Sequence, residues 1–467
     1  MISISAAEIA EITGGQLFGS KEIVVSQPPA FDSRMVTPGS LFLALKGEAV
    51  DGHDFASDAI SKGAVLVLAS RKLDVPCVVV KDVVLAIGAL AKYVRSKLPS
   101  LIVIGITGSQ GKTTTKDLLS AVLRLDGETV ATEASFNNEL GLPITLLRCV
   151  TSTKYCVLEM GARHQGNIAS LCEISQPNIG VVLCVGSAHV GEFGSREKIA
   201  LAKAELVQNL PKDGVAILGT YDEFTPHMTK SLPVKTITFG EGHDADVRAA
   251  DIDLREGRAH FDLVTNEGRS SVALRLVGAQ QIPNALAAAA VGTVLKISAD
   301  VIAVGLSTAE IASKWRMEIH EEDNLLLIND TYNANPESMR SALKTLALFA
   351  QERGGQSWAF LGKMHELGEV STAEHANVGK EAENLGIDHL VLVGAPEFGV
   401  EIRSASSTSV HNVDSKEEAM ELGVHFSRGD VILVKASRAE KLEVLALELL
   451  KRWREKNENE EKSGGEE

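Results

Sequence analysis

Cysteine is scarce in this chain, and its few copies form no metal or redox motif. The sequence has 5 cysteines among 467 residues, at Cys77, Cys149, Cys156, Cys172 and Cys184. None lies in a C-x-x-C pair, the spacing used by many zinc sites and redox-active disulfides. An odd number of isolated cysteines favours reduced thiols in a cytosolic protein over a disulfide framework or a zinc site.

Long apolar runs and surplus positive charge are also missing. No stretch approaches the roughly 18 apolar residues of a transmembrane helix. The opening MISISAAEIAEITGG has neither the basic start nor the apolar run of a signal peptide. We therefore expect a cytoplasmic protein with no membrane partner. The formal net charge of −16 at pH 7 repels nucleic-acid phosphates, so we expect no nucleic acid partner either.

What the chain does have is a regular alternation of apolar strands with helical stretches. Its length is sufficient for about three domains. The strand-like segments are GSLFLAL, AVLVLAS and CVVV, then LIVIGITG, YCVLEMGA, NIGVVLCVG and GVAILG, and finally NLLLIND, SWAFLGKM, DHLVLVG and DVILVKAS. Alternating strands and helices are typical of α/β proteins with mostly parallel sheets.

This pattern predicts an α/β protein of three domains. Residues 1–98 are expected to form a smaller α/β domain and residues 99–312 a central, doubly wound sheet of the P-loop type. Residues 313–455 are expected to form a Rossmann-like α/β domain. Residues 456–467 are strongly polar, and we expect a disordered acidic tail because they cannot bury enough apolar surface.

The segment GITGSQGKTTTKDLL is similar to a phosphate-binding loop, but its first glycine is displaced. In G-x-x-x-x-G-K-[ST] a glycine stands five residues before the second one, and here that position is Ile106. A strand leads into the segment and a helical pattern follows it, so phosphates could bind the N–H groups at the helix start. Lys112 would add a positive charge and Thr113 a hydroxyl for Mg²⁺. A glycine-rich turn without a ligand is the alternative.

Three further residues stand where such an enzyme could bind a metal. Glu159 ends the strand YCVLE, and His189 follows the strand in VVLCVGSAHVG. Side chains at the carboxyl ends of parallel strands meet at the crevice where ligands bind. Lys203 lies in the helical stretch IALAKAELVQNL. From the pattern alone, a solvated carboxylate, a structural histidine and a surface lysine remain open alternatives.

Several strings together resemble the Mur ligases. They are GITGSQGKTTTK, FNNELGLPITLL, LEMGARHQGNIA, AHVGEFGSREKIALAKAEL, NALAA and INDTYNANPESM. That family has T-G-x-x-G-K-T-T in its nucleotide loop, which accounts for the displaced glycine. The likeness covers nearly the whole chain, since DSRMVTPGSLFLALKGEAVDGHDFASDAISKGA resembles the family's uridine-nucleotide-binding domain, and LGKMHELG and VKASRAEKLE resemble elements of its third domain.

The resemblance implies an ATP- and Mg²⁺-dependent amide ligase. The chain looks most like the members that add D-alanyl-D-alanine to UDP-N-acetylmuramoyl-tripeptide in peptidoglycan synthesis. In such enzymes the γ-phosphoryl group of ATP passes to the substrate carboxylate, and the dipeptide amine then attacks the acyl phosphate. The resemblance also implies domain closure over ATP, which keeps water from the acyl phosphate, and a monomeric enzyme.

The resemblance assigns a role to each matching residue. Lys112, Glu159, His189 and Lys203 would be catalytic, and Thr113, Glu159, His189 and Lys203 would be metal ligands. Lys203 matches the lysine that is carbamylated in this family, a change that replaces a cation beside Mg²⁺ with an anion. ATP would contact Thr107, Gly108, Ser109, Gln110, Gly111, Lys112, Thr113, Thr114, Asn284, Arg316, Asp330 and Asn333. The UDP-linked substrate would contact Ser33, Arg34, Asn137 and Asn138, although a capped turn is the alternative for the two asparagines.

Four positions depart from the family pattern. Gln280 stands where a histidine is usual, Lys363 where an aspartate is usual, Ser135 where an asparagine is common, and Ala436 in place of a glycine. The change at Lys363 bears on dipeptide specificity. The alternatives are another Mur-type, amino-acid-adding ligase, folylpolyglutamate synthase, a P-loop kinase or NTPase, and a nucleotide-binding protein without catalysis. The absence of an N-P-R element disfavours a diaminopimelate-adding enzyme, and the first domain disfavours folylpolyglutamate synthase.

Overall fold

The computed structural model describes residues 1–47, 50–133, 136–310, 313–403 and 406–464. A parallel-rich sheet lies in each of the three predicted segments, and helices pack against all of them. The α/β class predicted from the strand and helix alternation is therefore confirmed.

The first segment forms a small sheet beside a long helix. Its strands are β1 (Ile4–Ser5), β2 (Gln16–Phe18), β3 (Val24–Val25), β4 (Gln27–Ala30), β5 (Ser40–Leu43), β6 (Leu66–Ala69) and β7 (Cys77–Val79), and its helices are α1 (Ala6–Thr13), α2 (Ala56–Ser61) and α3 (Val83–Lys97). The main sheet has the order β2-β7-β6-β5-β4, with β4 to β7 parallel, while β1 and β3 pair separately. Asp82 caps α3 by accepting hydrogen bonds from the first turn of the helix.

The central segment forms the largest sheet, with the order β16-β15-β14-β13-β12-β11-β8-β10-β9. Its strands are β8 (Ile102–Thr107), β9 (Thr129–Ala131), β10 (Tyr155–Glu159), β11 (Ile179–Val182), β12 (Val215–Gly219), β13 (Lys235–Gly240), β14 (Val247–Arg255), β15 (Arg258–Thr265) and β16 (Gly268–Val277). Its helices are α4 (Lys112–Arg124), α5 (Gly141–Leu147), α6 (Asn167–Ser175), α7 (Val190–Phe193), α8 (Arg196–Gln208), α9 (Gln281–Val294) and α10 (Ala299–Thr308). The last three strands are antiparallel to one another.

Helices cover both faces of the central sheet, as the predicted doubly wound fold requires. Alternate residues of β8 point to opposite sides, because Val103 packs in one hydrophobic cluster and Ile104 in another. The first cluster contains residues of α5, α6 and α8, and the second contains residues of α4, α9 and α10. Strand β8 lies between β11 and β10, so the loop that follows it opens at the point where the strand order reverses.

The last segment also packs helices on both faces of its sheet, which has the order β17-β18-β22-β19-β20-β21. Its strands are β17 (Glu318–Glu322), β18 (Leu325–Asp330), β19 (Ser357–Leu361), β20 (His389–Val393), β21 (Ser409–Val413) and β22 (Val431–Lys435). Its helices are α11 (Pro336–Arg353), α12 (Ser371–Asn384), α13 (Lys416–Glu421) and α14 (Glu443–Gly464). Only the β17–β18 pair is antiparallel within the described part of this sheet.

The predicted segment boundaries lie at three different kinds of position in this architecture. The boundary at residue 98 follows α3, yet one hydrophobic cluster joins Leu90 of that helix to Leu142 and Leu171 of the central segment. The boundary at residue 312 falls at residues 311 and 312, which lie outside the described residues. The disorder predicted from residue 456 is wrong for its described part, because α14 continues to Gly464 and buries Asn457.

Candidate active site

The glycine loop ends at the first residue of α4 and is tied to the neighbouring strand ends. Gly111 caps the helix with φ +82°, and a Cβ atom there would lie 2.2 Å from Asn284 Oδ1. Glycine is therefore required on both conformational and steric grounds. Ser109 Oγ accepts a hydrogen bond from Gly186 N at 2.8 Å, and Ser109 N donates to Cys184 O at 3.0 Å. The loop is thereby held in place at the positive end of α4.

Most of the predicted site residues line one cavity between the central and last segments. Its volume is about 1030 Å³. That is room for a nucleotide and a further substrate. The predicted residues in its wall are Ser109, Gln110, Gly111, Lys112, Thr113, Thr114, Asn137, Asn138, Glu159, His189, Lys203, Asn284, Arg316, Asp330 and Asn333.

Glu159 lies at the end of β10 and is held by three hydrogen bonds, two to its carboxylate and one from its backbone. Its Oε2 accepts a hydrogen bond from Thr113 Oγ1 and its Oε1 one from Asn137 Nδ2, both at 2.9 Å. Its own backbone N–H donates to Thr132 Oγ1 at 3.1 Å. The side chain is only 2% exposed. This geometry excludes the alternative of a solvated surface carboxylate.

Lys203 is the most unusual cation of the cavity. Its side chain lies on α8 and is 6% exposed, and no hydrogen bond or ion pair reaches it from the described residues. Burial, followed by the nearby charge of Lys112, lowers the pKa of the Lys203 amine to about 7. A large fraction of the amine is therefore uncharged near neutral pH. The alternative of a snorkelling surface lysine is excluded.

Lys112 and His189 lie close enough to Lys203 for their charges to interact. Lys112 Nζ donates to Gly108 O at 2.8 Å, and burial lowers the pKa of its amine. His189 has φ +64°, and its Nδ1 contacts Glu366 Oε2 from the last segment. Burial lowers the pKa of the His189 imidazole, although Glu366 opposes this effect. Basic side chains thus lie together in the cavity, and a polyanionic ligand bound beside them would favour their charged forms.

The predicted adenosine-side residues belong to two facing walls. Asn284 on α9 donates through Nδ2 to Gln281 Oε1 at 2.9 Å and accepts from Thr115 Oγ1 at 3.3 Å. On the opposite wall, the Arg316 guanidinium stacks 3.8 Å over the Tyr332 ring. These two walls come from different segments of the chain, so a ligand bound here would bridge them.

Asp330 and Asn333 share one buried cation. Lys435 Nζ donates to Asp330 Oδ2 at 2.5 Å and to Asn333 O at 2.9 Å, and its side chain is 2% exposed. Asp330 Oδ1 accepts in addition from Met317 N at 3.1 Å. The two predicted nucleotide residues are therefore positioned by a lysine that the sequence analysis did not single out.

Four predicted residues lie outside the cavity wall. Thr107 and Gly108 immediately precede the lining residues of the loop, and the Thr107 side chain is buried. Ser33 and Arg34 lie in the first segment, where Arg34 forms a bidentate pair with Asp32 at 2.6 to 3.1 Å. The Arg34 side chain is 83% exposed, and so it is available to a ligand outside the cavity.

The two asparagines predicted to contact the substrate differ in their hydrogen bonds. Asn138 Oδ1 accepts hydrogen bonds from Leu140 N at 3.3 Å and Gly141 N at 3.0 Å. This is the capped turn considered as the alternative reading, and it leaves the Nδ2 group of Asn138 as the part of the amide that faces other partners. Asn137 instead holds Glu159.

Several cavity residues received no role from the sequence. Ser187 N and Ser187 Oγ donate to Glu337 Oε1 and Oε2, both at 2.9 Å, across the two segments. Glu337 lines the cavity, and so do Glu366, Lys435 and Arg438, among other residues without a predicted role. All four positions lie in strings that carried the family resemblance, but only their three-dimensional partners identify them individually.

The departures from the family pattern are spread around the site. Gln280 lines the cavity, whereas Lys363 is exposed and does not line it. The Cβ of Ala436 is fully buried and would lie 2.8 Å from a Cβ at Gly362, so the alanine leaves room only for glycine opposite. Ser135 lies outside the described residues.

The predicted metal ligands differ from a cluster of acidic, histidine or cysteine side chains. Within the described residues no group of three or more His, Cys, Asp or Glu side chains is placed to hold a metal. The predicted set is of another kind, combining Thr113, Glu159 and His189 with a modified lysine. Carboxylate and hydroxyl oxygens are suitable Mg²⁺ ligands. None of the described helices is long and apolar enough to span a bilayer.

Comparison with known proteins gives the same picture along the whole chain. Family models match residues 30–97 (Mur ligase family, catalytic domain), 106–292 (Mur ligase middle domain) and 315–438 (Mur ligase, glutamate ligase domain). A protein of Mycobacterium bovis named UDP-N-acetylmuramoyl-tripeptide--D-alanyl-D-alanine ligase is 41% identical over 96% of this chain and 97% of its own length.

Solved structures agree with the sequence relatives. A crystal structure of MurF from Acinetobacter baumannii has a TM-score of 0.86 and 34% identity, covering 96% of this chain and 99% of that one. A structure of MurF ligase from Thermotoga maritima in complex with ADP has a TM-score of 0.78 and 30% identity, covering 92% of this chain and 99% of that one.

Proposed function

The chain belongs to the Mur ligase family, and on this basis we propose that it joins D-alanyl-D-alanine to UDP-N-acetylmuramoyl-tripeptide at the expense of ATP. Relatives matched over nearly their whole length have this activity in their names. The observation that carries the proposal is the shared cavity, in which the glycine loop, Glu159 and Lys203 face Arg316 of the last segment. A relative solved with ADP supports nucleotide use.

The chemistry explains why basic groups surround the glycine loop. Joining a carboxylate to an amine is unfavourable in water, so the carboxylate first takes the γ-phosphoryl group of ATP. Phosphoryl transfer needs positioning and charge neutralisation more than covalent help from the protein. The N-terminus of α4, Lys112 and Arg316 supply both around the triphosphate. The dipeptide amine then displaces phosphate from the acyl phosphate.

We propose Thr113, Glu159, His189 and Lys203 as the residues that would hold Mg²⁺. Glu159 is buried and already hydrogen-bonded to Thr113, so the two oxygens are fixed next to each other. When bound, the ion would neutralise charge on the phosphate oxygens. Asn137 keeps the Glu159 carboxylate oriented through its amide.

The environment of Lys203 supports a carbamate at this position. An uncharged amine adds to CO₂ through its lone pair and releases one proton, giving an N-bound carbamate with one negative charge. A lysine with a pKa of about 7 has the required uncharged form at neutral pH. The resulting anion would also offset the charge of Lys112, which the unmodified amine repels.

Substrates would approach from two sides of the cavity. Arg34 and Ser33 would bind the uridine diphosphate in the first segment, and the exposed guanidinium of Arg34 suits a phosphate. The dipeptide would enter from the last segment, near Glu337 and Glu366. We propose a monomeric enzyme, as the family resemblance implies, acting in the cytoplasm where ATP is available.

A product assay tests the proposal directly. Purified protein is incubated with ATP, Mg²⁺, UDP-N-acetylmuramoyl-tripeptide and D-alanyl-D-alanine, and phosphate and pentapeptide are both measured. We expect equal amounts of phosphate and pentapeptide, and neither when any substrate is left out. Equal phosphate release without the dipeptide would indicate an NTPase. Product formation with a single amino acid in place of the dipeptide would indicate another ligase of the family.

A further inference from the structure

A buried ion pair lies on the nucleotide helix α4 and has no part in the chemistry above. Lys116 Nζ donates to Asp117 Oδ1 at 2.6 Å, and the two side chains are 4% and 8% exposed. Adjacent residues on a helix do not normally face each other. Burying two charges is also costly unless they are paired and hydrogen-bonded. The pair therefore calls for an explanation outside helix stability.

The second oxygen of Asp117 leads to the other wall of the cavity. Asp117 Oδ2 accepts a hydrogen bond from Ser313 Oγ at 3.0 Å. Ser313 begins residues 313–317, a segment without helix or strand that leads into β17. The first turn of α4 follows the glycine loop. The contact between Asp117 and Ser313 therefore joins this helix to residues 313–317, which lead from the central segment into the last one.

The linking segment has an unusual backbone that fixes the direction of Arg316. Trp315 has φ +62° and Met317 has φ +50°. Residues other than glycine rarely adopt such angles, which cost of order 1 kcal/mol or more each. Neighbouring groups hold this conformation, because Tyr332 N donates to Trp315 O at 3.0 Å and Met317 N donates to Asp330 Oδ1 at 3.1 Å.

Arg316 lies between these two strained residues and points into the cavity. Its guanidinium stacks on Tyr332, and its charge is close enough to lower the pKa of Lys112 in the glycine loop. On the other side of the segment, the Arg438 guanidinium lies 4.3 Å from the centre of the Trp315 ring. The segment is held from the last domain by these contacts and from the nucleotide helix by Ser313.

We propose that the Asp117–Ser313 hydrogen bond positions Arg316 for the nucleotide, which makes both residues positioning residues for ATP. The inference rests on the proposed use of ATP. In this arrangement Lys116 orients the Asp117 carboxylate, and Asp117 anchors the start of the linking segment. Arg316 then approaches the phosphates in a fixed register with the glycine loop.

The inference can be tested by measuring, with calorimetry, how tightly the full chain binds a non-hydrolysable ATP analogue in the presence of Mg²⁺. This measurement does not depend on the ligase reaction. Ser313→Ala should weaken binding about tenfold, the loss typical of one hydrogen bond to a charged group. Ser313→Thr should restore binding to within about twofold. The matched control is Ser307→Ala on α10, where Oγ only accepts from Ala273 N at 3.1 Å. Its binding should equal that of the unchanged protein.

A double-mutant cycle separates positioning from a general loss of structure. If Ser313 acts through Arg316, adding Ser313→Ala to Arg316→Ala should weaken binding no further. The inference would be overturned if Ser313→Ala bound the analogue as tightly as the unchanged protein. It would also be overturned if the double variant showed a loss of affinity equal to the product of the two single losses. Failure to form pentapeptide, with the binding results as expected, would refute the ligase proposal alone.

Discussion

At the scale of single residues, the burial of an uncompensated amine is the feature that most constrains the chemistry of the cavity. Lys203 is 6% exposed and close to the charge of Lys112. A fully buried cation without a partner is strongly unfavourable, and proteins usually avoid it by neutralising the group. Conversion to a carbamate would give an anion that Lys112 and a bound Mg²⁺ could compensate, and it would add a metal ligand.

Replacing this lysine should therefore abolish most of the activity. Lys203→Ala is expected to lower kcat by about 100-fold or more, the usual effect of losing one group that stabilises transition-state charge. A small carboxylic acid such as formate should restore part of the rate, because it can occupy the space of the carbamate. Pentapeptide formation measured with and without formate checks both effects.

The control for this experiment lies on the same helix. Lys198 is exposed on α8, so Lys198→Ala should leave kcat unchanged and show no response to formate. Undiminished activity of Lys203→Ala would remove this residue from the mechanism. Low activity without any formate response would argue against a carbamate.

At the scale of secondary structure elements, the start of α4 shows how a helix terminus and a neighbouring helix define the loop together. Gly111 has a left-handed backbone, and Asn284 of α9 occupies the space where a side chain would be. Gly166 caps α6 with nearly the same backbone, φ +90° against +82°, but has nothing within 4 Å of a Cβ position. A comparison of the two glycines therefore distinguishes the effect of backbone strain, which both positions share, from that of a steric clash, which only Gly111 would have.

Alanine at these two positions should give different results. Gly166→Ala should reduce stability by about 1 kcal/mol through backbone strain alone. Gly111→Ala adds a clash with Asn284 and should also raise the KM for ATP at least tenfold. Thermal unfolding and ATP-dependent kinetics of both variants check this. If the two variants had similar KM values for ATP, the clash between the new methyl group at position 111 and Asn284 would be shown to relax at little cost.

A second element-scale feature is a cluster of aromatic rings where β19, β20 and β21 begin. The His389 ring stacks on Trp358 with a centroid distance of 3.7 Å, and His389 Nδ1 lies 3.3 Å from His411 Nε2. Burial lowers the pKa of both imidazoles, and the nearby His425 lowers them further. For His389, His411 lowers the pKa as well, whereas Asp388 and Asp430 raise it.

This cluster should make the last domain sensitive to mild acid. Because the folded state depresses both pKa values, the unfolded chain takes up protons first as the pH falls below about 6.5. Stability should be unaffected above that pH and should decline below it. A His389→Gln, His411→Gln variant should lose less of its melting temperature between pH 7 and pH 5 than the unchanged protein. An equal loss would contradict a role for the pair.

Local features were predictable from the sequence, whereas contacts between distant residues were not. The glycine loop and the strand before it follow from short local patterns, whereas the roles of Glu159, His189 and Lys203 were implied by the resemblance to the Mur ligases. Ser187 and Glu337 are far apart in the chain, and no local pattern links them. Composition also predicted a disordered tail from residue 456, where α14 instead continues to Gly464.

At the scale of the whole molecule, side-chain contacts hold the central and last domains together across the cavity. Ser187 offers two donors to Glu337, and His189 contacts Glu366. These contacts lie beside the glycine loop. They indicate that domain closure and assembly of the site depend on the same few residues.

Weakening one of these contacts should shift the molecule towards a more open form. Glu337→Ala removes both acceptors of Ser187 and should lower kcat/KM several-fold, since a smaller fraction of molecules has the closed site. Small-angle scattering should show a larger radius of gyration. Glu352→Ala, an exposed change on the same helix α11, is the control and should alter neither quantity. An unchanged radius for Glu337→Ala would show that closure does not depend on this contact.

The hydrophobic cluster that α3 shares with α5 and α6 has a consequence for how the protein melts. Residues on both sides of the predicted boundary at 98 pack in one apolar cluster. The first two domains should therefore unfold together, in a single heat-capacity peak. Scanning calorimetry should then record one transition for residues 1–310 and a separable one for the last domain. Cutting the chain at residue 98 would yield two insoluble fragments in place of two independent folding units.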